Sequence, residues 1–225
     1  MYITLGVLLA LFLGWIAYGY FSASGLEGPK YTVIEQKEGY EIRQYEDYVI
    51  AETKISGEYN QAMNQGFMNV GGYIFGDNTP AKNSSKEKIA MSTPVITEEK
   101  EKIAMTTPVI TEKGSEKRAM STPMLSEQQG QEWTLAFVMP SQYTLENLPK
   151  PNNKKVTLKQ VEGEKRAVIR FSGWVTGKRL QKKTDQLIAM LKRDELDHIK
   201  IQSARYNPPW TPPFMTRNEV WAVLK

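Results

Sequence analysis

Two stretches of this chain repeat one another and constrain its fold more than anything else in it. Tyr40–Gly57 (YEIRQYEDYVIAETKISG) and Val156–Gly173 (VTLKQVEGEKRAVIRFSG) have the same length and stand 116 residues apart, 56 matching 172 and 57 matching 173. Along that offset Gln44 meets Gln160, Glu46 meets Glu162, and Ser56-Gly57 meets Ser172-Gly173, while Ile42/Leu158, Arg43/Lys159 and Ile55/Phe171 agree in character. Each copy alternates apolar and polar residues, breaks at a short acidic turn, then runs as a second strand into Ser-Gly. That pattern predicts a β-hairpin with one buried face. A helically spaced segment comes after each copy. The expected unit is β-β-α, present twice, and neither unit can bury its apolar face alone.

The 225 residues allow a substantial core. Ile3–Phe21 is apolar or aromatic, and no charge appears before Glu27. That length is close to the ~20 residues that span a bilayer as a helix. Trp15, Tyr18 and Tyr20 crowd its C-terminal end, where an aromatic belt would sit. A cleaved signal peptide is the rival, with Ser22-Ala23-Ser24 as a small-residue site, but the n-region has no Lys or Arg. A buried core helix is the third possibility. The expected division is therefore an anchor or signal sequence over 1–24, a flexible linker over 25–30, and one domain over 31–225. Lys30 and Lys37 favour a cytoplasmic domain, whereas simple N-terminal anchors commonly export the domain they carry. Export to an extracytoplasmic (periplasmic) face is the expectation adopted.

Beyond the first copy, Asn60–Val70 places Met63, Phe67 and Val70 on one helical stripe, and Gly71-Gly72 reads as its C-terminal cap. A shorter repeat then occurs three times: Lys88–Thr97 (KIAMSTPVIT), Lys102–Thr111 (KIAMTTPVIT) and Lys117–Ser126 (KRAMSTPMLS). Each copy carries a Pro, which sheets accept only at edges or bulges, so each reads as a strand kinked there. One copy is expected to pair in the main sheet beside Trp133–Pro140. A second helix ends near Arg193, with Leu180, Thr184, Leu187, Ile188 and Leu191 inward and Lys178, Lys182, Lys183 and Lys192 outward. Pro pairs around Trp210 and Phe214 make a stiff loop. Asn218–Leu224, apolar on both faces, reads as a central strand.

With these residues in view, the chain resembles the SOUL heme-binding protein family over roughly Tyr31 to Lys225. The resemblance rests on the Tyr40 segment, the IAM-(S/T)-T-P-V element, Phe137-Val138-Met139-Pro140, and Tyr206-Asn207-Pro208-Pro209 followed by Arg217-Asn218-Glu219-Val220-Trp221. It implies an α+β fold: a distorted antiparallel β-barrel from two pseudo-symmetric β-α-β-β halves with two packed helices, here preceded by the N-terminal transmembrane helix. It also implies non-covalent binding of heme or another porphyrin in an apolar groove near the first helix. Met63, Phe67 and Met68 would face the ring. Asn60–Gly72 holds no Lys or Arg, so partners for the propionates would come from Lys54, Arg170 or Arg217.

Other chemistry is thinly supported. The chain has no cysteine, which excludes disulfides, thiolate metal sites and a Cys nucleophile. Its net charge of +4, without clustered Arg and aromatic pairs, does not indicate nucleic-acid binding. The one histidine, His198, sits among charged residues and suits a solvated surface better than an axial ligand. Neither a phosphate-cradling Gly loop nor a Gly-x-Ser-x-Gly elbow occurs. Arg217 and Glu219, two apart on a strand, share a face; an ion pair is the first expectation and an anion-binding Arg at a pocket mouth the second. Besides a non-enzymatic tetrapyrrole binder, two alternatives stay open: a small-molecule effector-binding or hydrolase domain of the gyrase-inhibitor-like type, using a Glu or Tyr, and a scaffold that docks an unknown protein partner through the tripled repeat.

Overall fold

The structure, a computed structural model, describes residues 2–80, 88–99, 132–208 and 210–225. In chain order the elements are α1 (Tyr2–Ala23), β1 (Tyr31–Lys37), β2 (Tyr40–Tyr45), β3 (Tyr48–Ser56), α2 (Tyr59–Ile74), β4 (Asn78–Thr79), β5 (Val95–Glu99), β6 (Glu132–Val138), β7 (Lys150–Pro151), β8 (Val156–Val161), β9 (Lys165–Phe171), α3 (Gly177–Arg193), β10 (His198–Arg205), a 3-10 turn (Pro213–Met215) and β11 (Asn218–Leu224). Nine strands form one curled antiparallel half-barrel in the order β1-β2-β9-β11-β10-β5-β6-β3-β8, and β4 pairs with β7. The class is α+β, as expected.

The duplication is built in an unexpected way. Neither repeated segment folds back on itself as a hairpin. Instead β2 pairs with β9 and β3 with β8, so each copy runs alongside the other. The register obeys the sequence offset: Glu41 faces Val168, and adding 116 to Glu41 gives Thr157, whose partner Glu52 stands 116 before Val168. The same exchange relates Ile42–Ala167 to Ala51–Leu158 and Arg43–Arg166 to Ile50–Lys159. The acidic breaks are bends between the two stretches of ladder. At them Tyr45 N donates to Glu164 O at 3.1 Å, and Gly163 N donates to the Asp47 carboxylate at 2.7 Å. Alternation reveals which face of a strand is apolar but not which strand it pairs with.

From β2 to β8 the order is symmetric under the repeat: β2-β9-β11-β10 answers β8-β3-β6-β5. The first short repeat supplies β5, whose strand begins after Pro94 and lies between β10 and β6. The copies at 102–111 and 117–126 lie outside the described residues. β11 is central, between β9 and β10, and buried along nearly all its length.

Each half lays its helix on the outer face of the sheet. α2 covers Val49, Ala51, Leu135, Phe137 and Val156, while α3 covers Ile42, Ala167, Ile169, Phe171, Val220 and Ala222. The inner face holds Tyr45, Tyr48, Ile50, Ile96, Ala136, Val138, Val168, Ala204 and Trp221. α3 is capped by Thr176, whose hydroxyl accepts from Arg179 N at 3.3 Å, and buries Leu187 and Leu191, with Ile188 turned out. At its far end Arg193 and Tyr40 bond Asp194 and hold its carboxyl at about 2. α2 departs from the sequence expectation twice. Its buried residues are Ala62, Gly66, Val70, Gly71, Tyr73 and Ile74, leaving Phe67 partly outside. It also runs through Gly71-Gly72 to Ile74, and the left-handed glycine that ends it is Gly76, at φ 114°.

Candidate functional site

The stripe chosen by α2 decides what its other face offers. Gly66 is the contact point: a Cβ there would stand 2.8 Å from Ile55 Cδ1 and 3.0 Å from Leu135 Cβ. With the helix pressed in at Gly66, Phe67 and Phe75 lie at the flank of the helix, partly exposed, with the buried Gly71 between them at helical spacing. A Cβ on Gly71 would meet only those two rings, at 3.8 Å. The result is a shallow apolar shelf. Phe67 is 43% exposed, Phe75 57% and Met68 beside them 73%. The Phe67 ring is braced underneath by Phe137, centroids 5.5 Å apart. Met63 is directed inward: it packs on the core under α2, and its sulfur accepts from the Thr97 hydroxyl at 3.6 Å.

The three cations suggested for the propionates are not gathered at this shelf. Asn69 bonds Thr53 at 3.3 Å, so the face of β3 that bears Thr53 is the one under α2, and alternation puts Lys54 on the opposite face. Ile169 and Phe171 pack under α3, which places Arg170 on that same inner face. Lys54 and Arg170 are equivalents across the 116-residue offset and both are exposed. Arg217 precedes β11 and lines a cavity of about 330 Å³ with Leu26, Tyr31, Thr93, Tyr206 and Asn207. A second cavity, of about 290 Å³, lies by Ile34, Ile42, Leu196 and Leu224. Neither cavity includes α2. His198 opens β10 opposite Leu224, beside the second cavity but not among the residues that line it.

The inner face contains a charged cluster that the sequence showed only in part. Glu219 is fully buried, and its carboxylate accepts from Arg43 Nη1, Arg217 Nε at 2.9 Å, Arg217 Nη2 at 2.8 Å, Tyr206 OH at 2.9 Å and Trp221 Nε1 at 2.7 Å. Burial alone would push this carboxyl up, but Arg43 and Arg217 outweigh it and hold it below its ordinary range. Burial and then the Glu219 charge push Tyr45 up to about 12, and push Tyr206 up as well. Arg217 stacks on Tyr206 at 3.9 Å and donates to Tyr31 OH at 3.3 Å. Arg217 is therefore an ion-pair partner of Glu219, as first expected, and it also lines the cavity. Beside this cluster Arg166, also fully buried, bonds Tyr48 and Glu164 and lies against the rings of Trp221, at 4.5 Å, and Tyr45, at 4.7 Å. Sequence reasoning misses Arg43 and Arg166 because a charged residue in an alternating strand reads as a solvated face. Tyr45 and Tyr48, flanking the bend, are the available sign that this face is not wet.

A carboxylate saturated by five donors keeps its charge and has little capacity left to take a proton from a substrate. The inner cluster is fully engaged with itself, and exposed apolar side chains of this domain lie elsewhere, among them those on α2. Among the described residues no group of His, Asp and Glu is placed to hold a metal ion.

Comparison with known proteins agrees with this architecture. No curated protein matches the chain. Among solved structures, the EcmrR C-terminal domain superimposes with a TM-score of 0.54 at 7% identity, covering 87% of this chain and 98% of that one. A hydrolase from Listeria innocua superimposes with a TM-score of 0.51 at 12% identity, covering 85% and 94%. At such identities these likenesses show the fold alone. The model of the SOUL heme-binding protein family matches residues 26–101 and 96–223, two stretches that overlap where the first short repeat ends. Together they span nearly everything after α1, and the chain belongs to the SOUL heme-binding protein family.

Proposed function

We propose that this protein is a membrane-anchored, non-enzymatic module that binds heme or a related tetrapyrrole reversibly, for transport, buffering or sensing. The observation that carries the reading is the shelf on α2, where the exposed rings of Phe67 and Phe75 flank the buried Gly71, with Met68 exposed beside them. A flat macrocycle laid there gains ~25 cal/mol for each Å² of apolar surface covered, with no bond to its metal. Aromatic faces and a thioether suit a polarisable ring. Heme would supply its own chemistry when bound; the residues here supply a surface. Met63, which takes the Thr97 hydroxyl, packs on the core beneath α2, and Phe137 supports Phe67 from behind. Lys54 and Arg170, on the far side of the sheet, do not suit the propionates of a ring on α2, so those groups would stay in water. Family membership agrees with this ligand class.

The anchor is α1, which is long and apolar enough to cross a membrane and is almost entirely uncovered by the rest of the chain. Large apolar side chains exposed over most of a 22-residue helix call for lipid around them. An extracytoplasmic domain is the orientation we favour, on the habit of simple N-terminal anchors. The effector-binding or hydrolase alternative needs a free carboxylate or phenol on the inner face, and Glu219 and Tyr206 are committed to one another there.

Titration of the detergent-solubilised protein with hemin and with iron-free protoporphyrin tests the reading. Saturation near one equivalent, with similar affinity for both and no change on His198→Ala, is expected. No saturable binding of either would overturn it.

A further inference from the structure

The Pro-rich loop after β10 lies against α1. Trp15 Nε1 donates to the Trp210 carbonyl at 2.7 Å, and Trp210 Nε1 donates to Ser22 Oγ at 3.2 Å. The Tyr18 and Trp210 rings are 6.4 Å apart, as are those of Phe12 and Phe214, and Gly19 lies hard against Pro212. The contacts run along α1 from Phe12 to Ser22, so the loop tracks the helix for about 15 Å at 1.5 Å per residue. Trp210 and Phe214 remain 48% and 58% exposed on the side away from α1. Gly173 N donates to Pro213 O at 2.8 Å, which brings Trp174, 62% exposed, up beside them. Lys178, Arg179 and Lys182, all exposed, come next at the start of α3.

The backbone of this loop is largely relieved of its need for water. Pro212 and Pro213 have no N–H to satisfy. Thr211 N bonds Pro208 O, Met215 N bonds Pro212 O, and Thr216 N bonds Pro213 O. Irregular backbone enters a bilayer only where its polar groups are bonded internally or to a neighbour.

We infer that Trp174, Trp210 and Phe214 form a second membrane-contact surface that enters the same leaflet as the C-terminal half of α1, so that the domain lies on the bilayer instead of swinging from its anchor. The inference rests on α1 being a membrane anchor, as proposed above. The occupant is the lipid interface, because the patch is continuous with the C-terminal half of the span, and apolar faces of this kind lie at the headgroup and acyl boundary. Aromatic rings are favoured at that level, and the basic start of α3 falls where anionic headgroups would be.

The absence of cysteine makes single-cysteine labelling clean. The full chain is reconstituted in phosphatidylcholine vesicles containing phosphatidylserine, with an environment-sensitive fluorophore at Phe214→Cys, Trp174→Cys, Leu9→Cys (within α1) or Met68→Cys (on α2). Lipids with a quencher near the headgroup or deep in the acyl chain then report depth. The expected result is loss of fluorescence at 214 and 174 to the shallow quencher, at Leu9 to the deep one, and none at Met68. Quenching at Leu9 with 214 and 174 behaving like Met68 would overturn the inference while leaving the anchor intact. No quenching at Leu9 would overturn both. Should Phe214→Cys fail to fold, the Trp174 position decides.

Discussion

Arg43 donates through Nη1 to both oxygens of the Glu219 carboxylate, at 3.1 and 3.2 Å, joining β2 to β11 inside the curl of the sheet. Arg217 holds the same carboxylate from the other side. Glu219→Gln would leave two guanidiniums facing a neutral amide in a buried site. Breaking a buried pair from one side costs about 3–5 kcal/mol. At this chain length each kcal/mol lowers Tm by roughly 2–4 °C, so thermal unfolding should show a drop on the order of 10 °C. A drop of a degree or two would mean that the cluster is solvated.

The same carboxylate sets an acid limit. Its folded pKa lies below the ordinary 4.5, so its contribution to stability is complete above about 4.5 and disappears as pH falls through the depressed folded value. Tm should therefore decline as the solution is acidified below about 4.5. The Glu219→Gln protein should start lower and decline less steeply. Parallel pH profiles for the two proteins would show that other carboxyls dominate.

Two glycines in α2 should respond oppositely to alanine. At Gly66 the new methyl meets Ile55 and Leu135 at 3.0 Å or less, and overpacking of that kind costs about 1–3 kcal/mol. At Gly71 the methyl meets only ring edges at 3.8 Å, and replacing a helical glycine with alanine gains up to about 1 kcal/mol. Chemical denaturation of both variants separates the two. Equal effects would mean that α2 does not dock at Gly66.

Gly71→Leu should raise the helix propensity while filling the space between Phe67 and Phe75. Hemin and protoporphyrin affinity should fall about tenfold, equivalent to ~1.4 kcal/mol, with no loss of Tm. Unchanged affinity would place the ring elsewhere on the domain.

Much of this fold can be read in the sequence, and its gaps have a common cause. Strand positions, the duplication and its offset, the central place of Asn218–Leu224 and the Arg217–Glu219 pair all derive from local periodicity. Pairing partners do not. The exchange of β2 and β8 between halves is a matter of non-local topology, and a stretch that alternates well looks the same whether it meets its own continuation or its distant copy. Phe67 shows the gap at residue scale. Its spacing from Met63 and Val70 suggests a buried stripe, but the small residues Ala62 and Gly66 permit closer approach of helix to sheet, and tight packing takes the helix to that side. Periodicity puts Met63 on the buried stripe, where the fold keeps it, but passes over Phe75, which in the fold turns out.

The crossing of the two repeated segments has a consequence for how this domain can come apart. Each half keeps one of its strands in its sister's portion of the sheet, so severing the chain between the halves would not yield two smaller proteins. The fragments would stay clasped, or else both would collapse, and a lone half should find stability only by embracing a second molecule of itself.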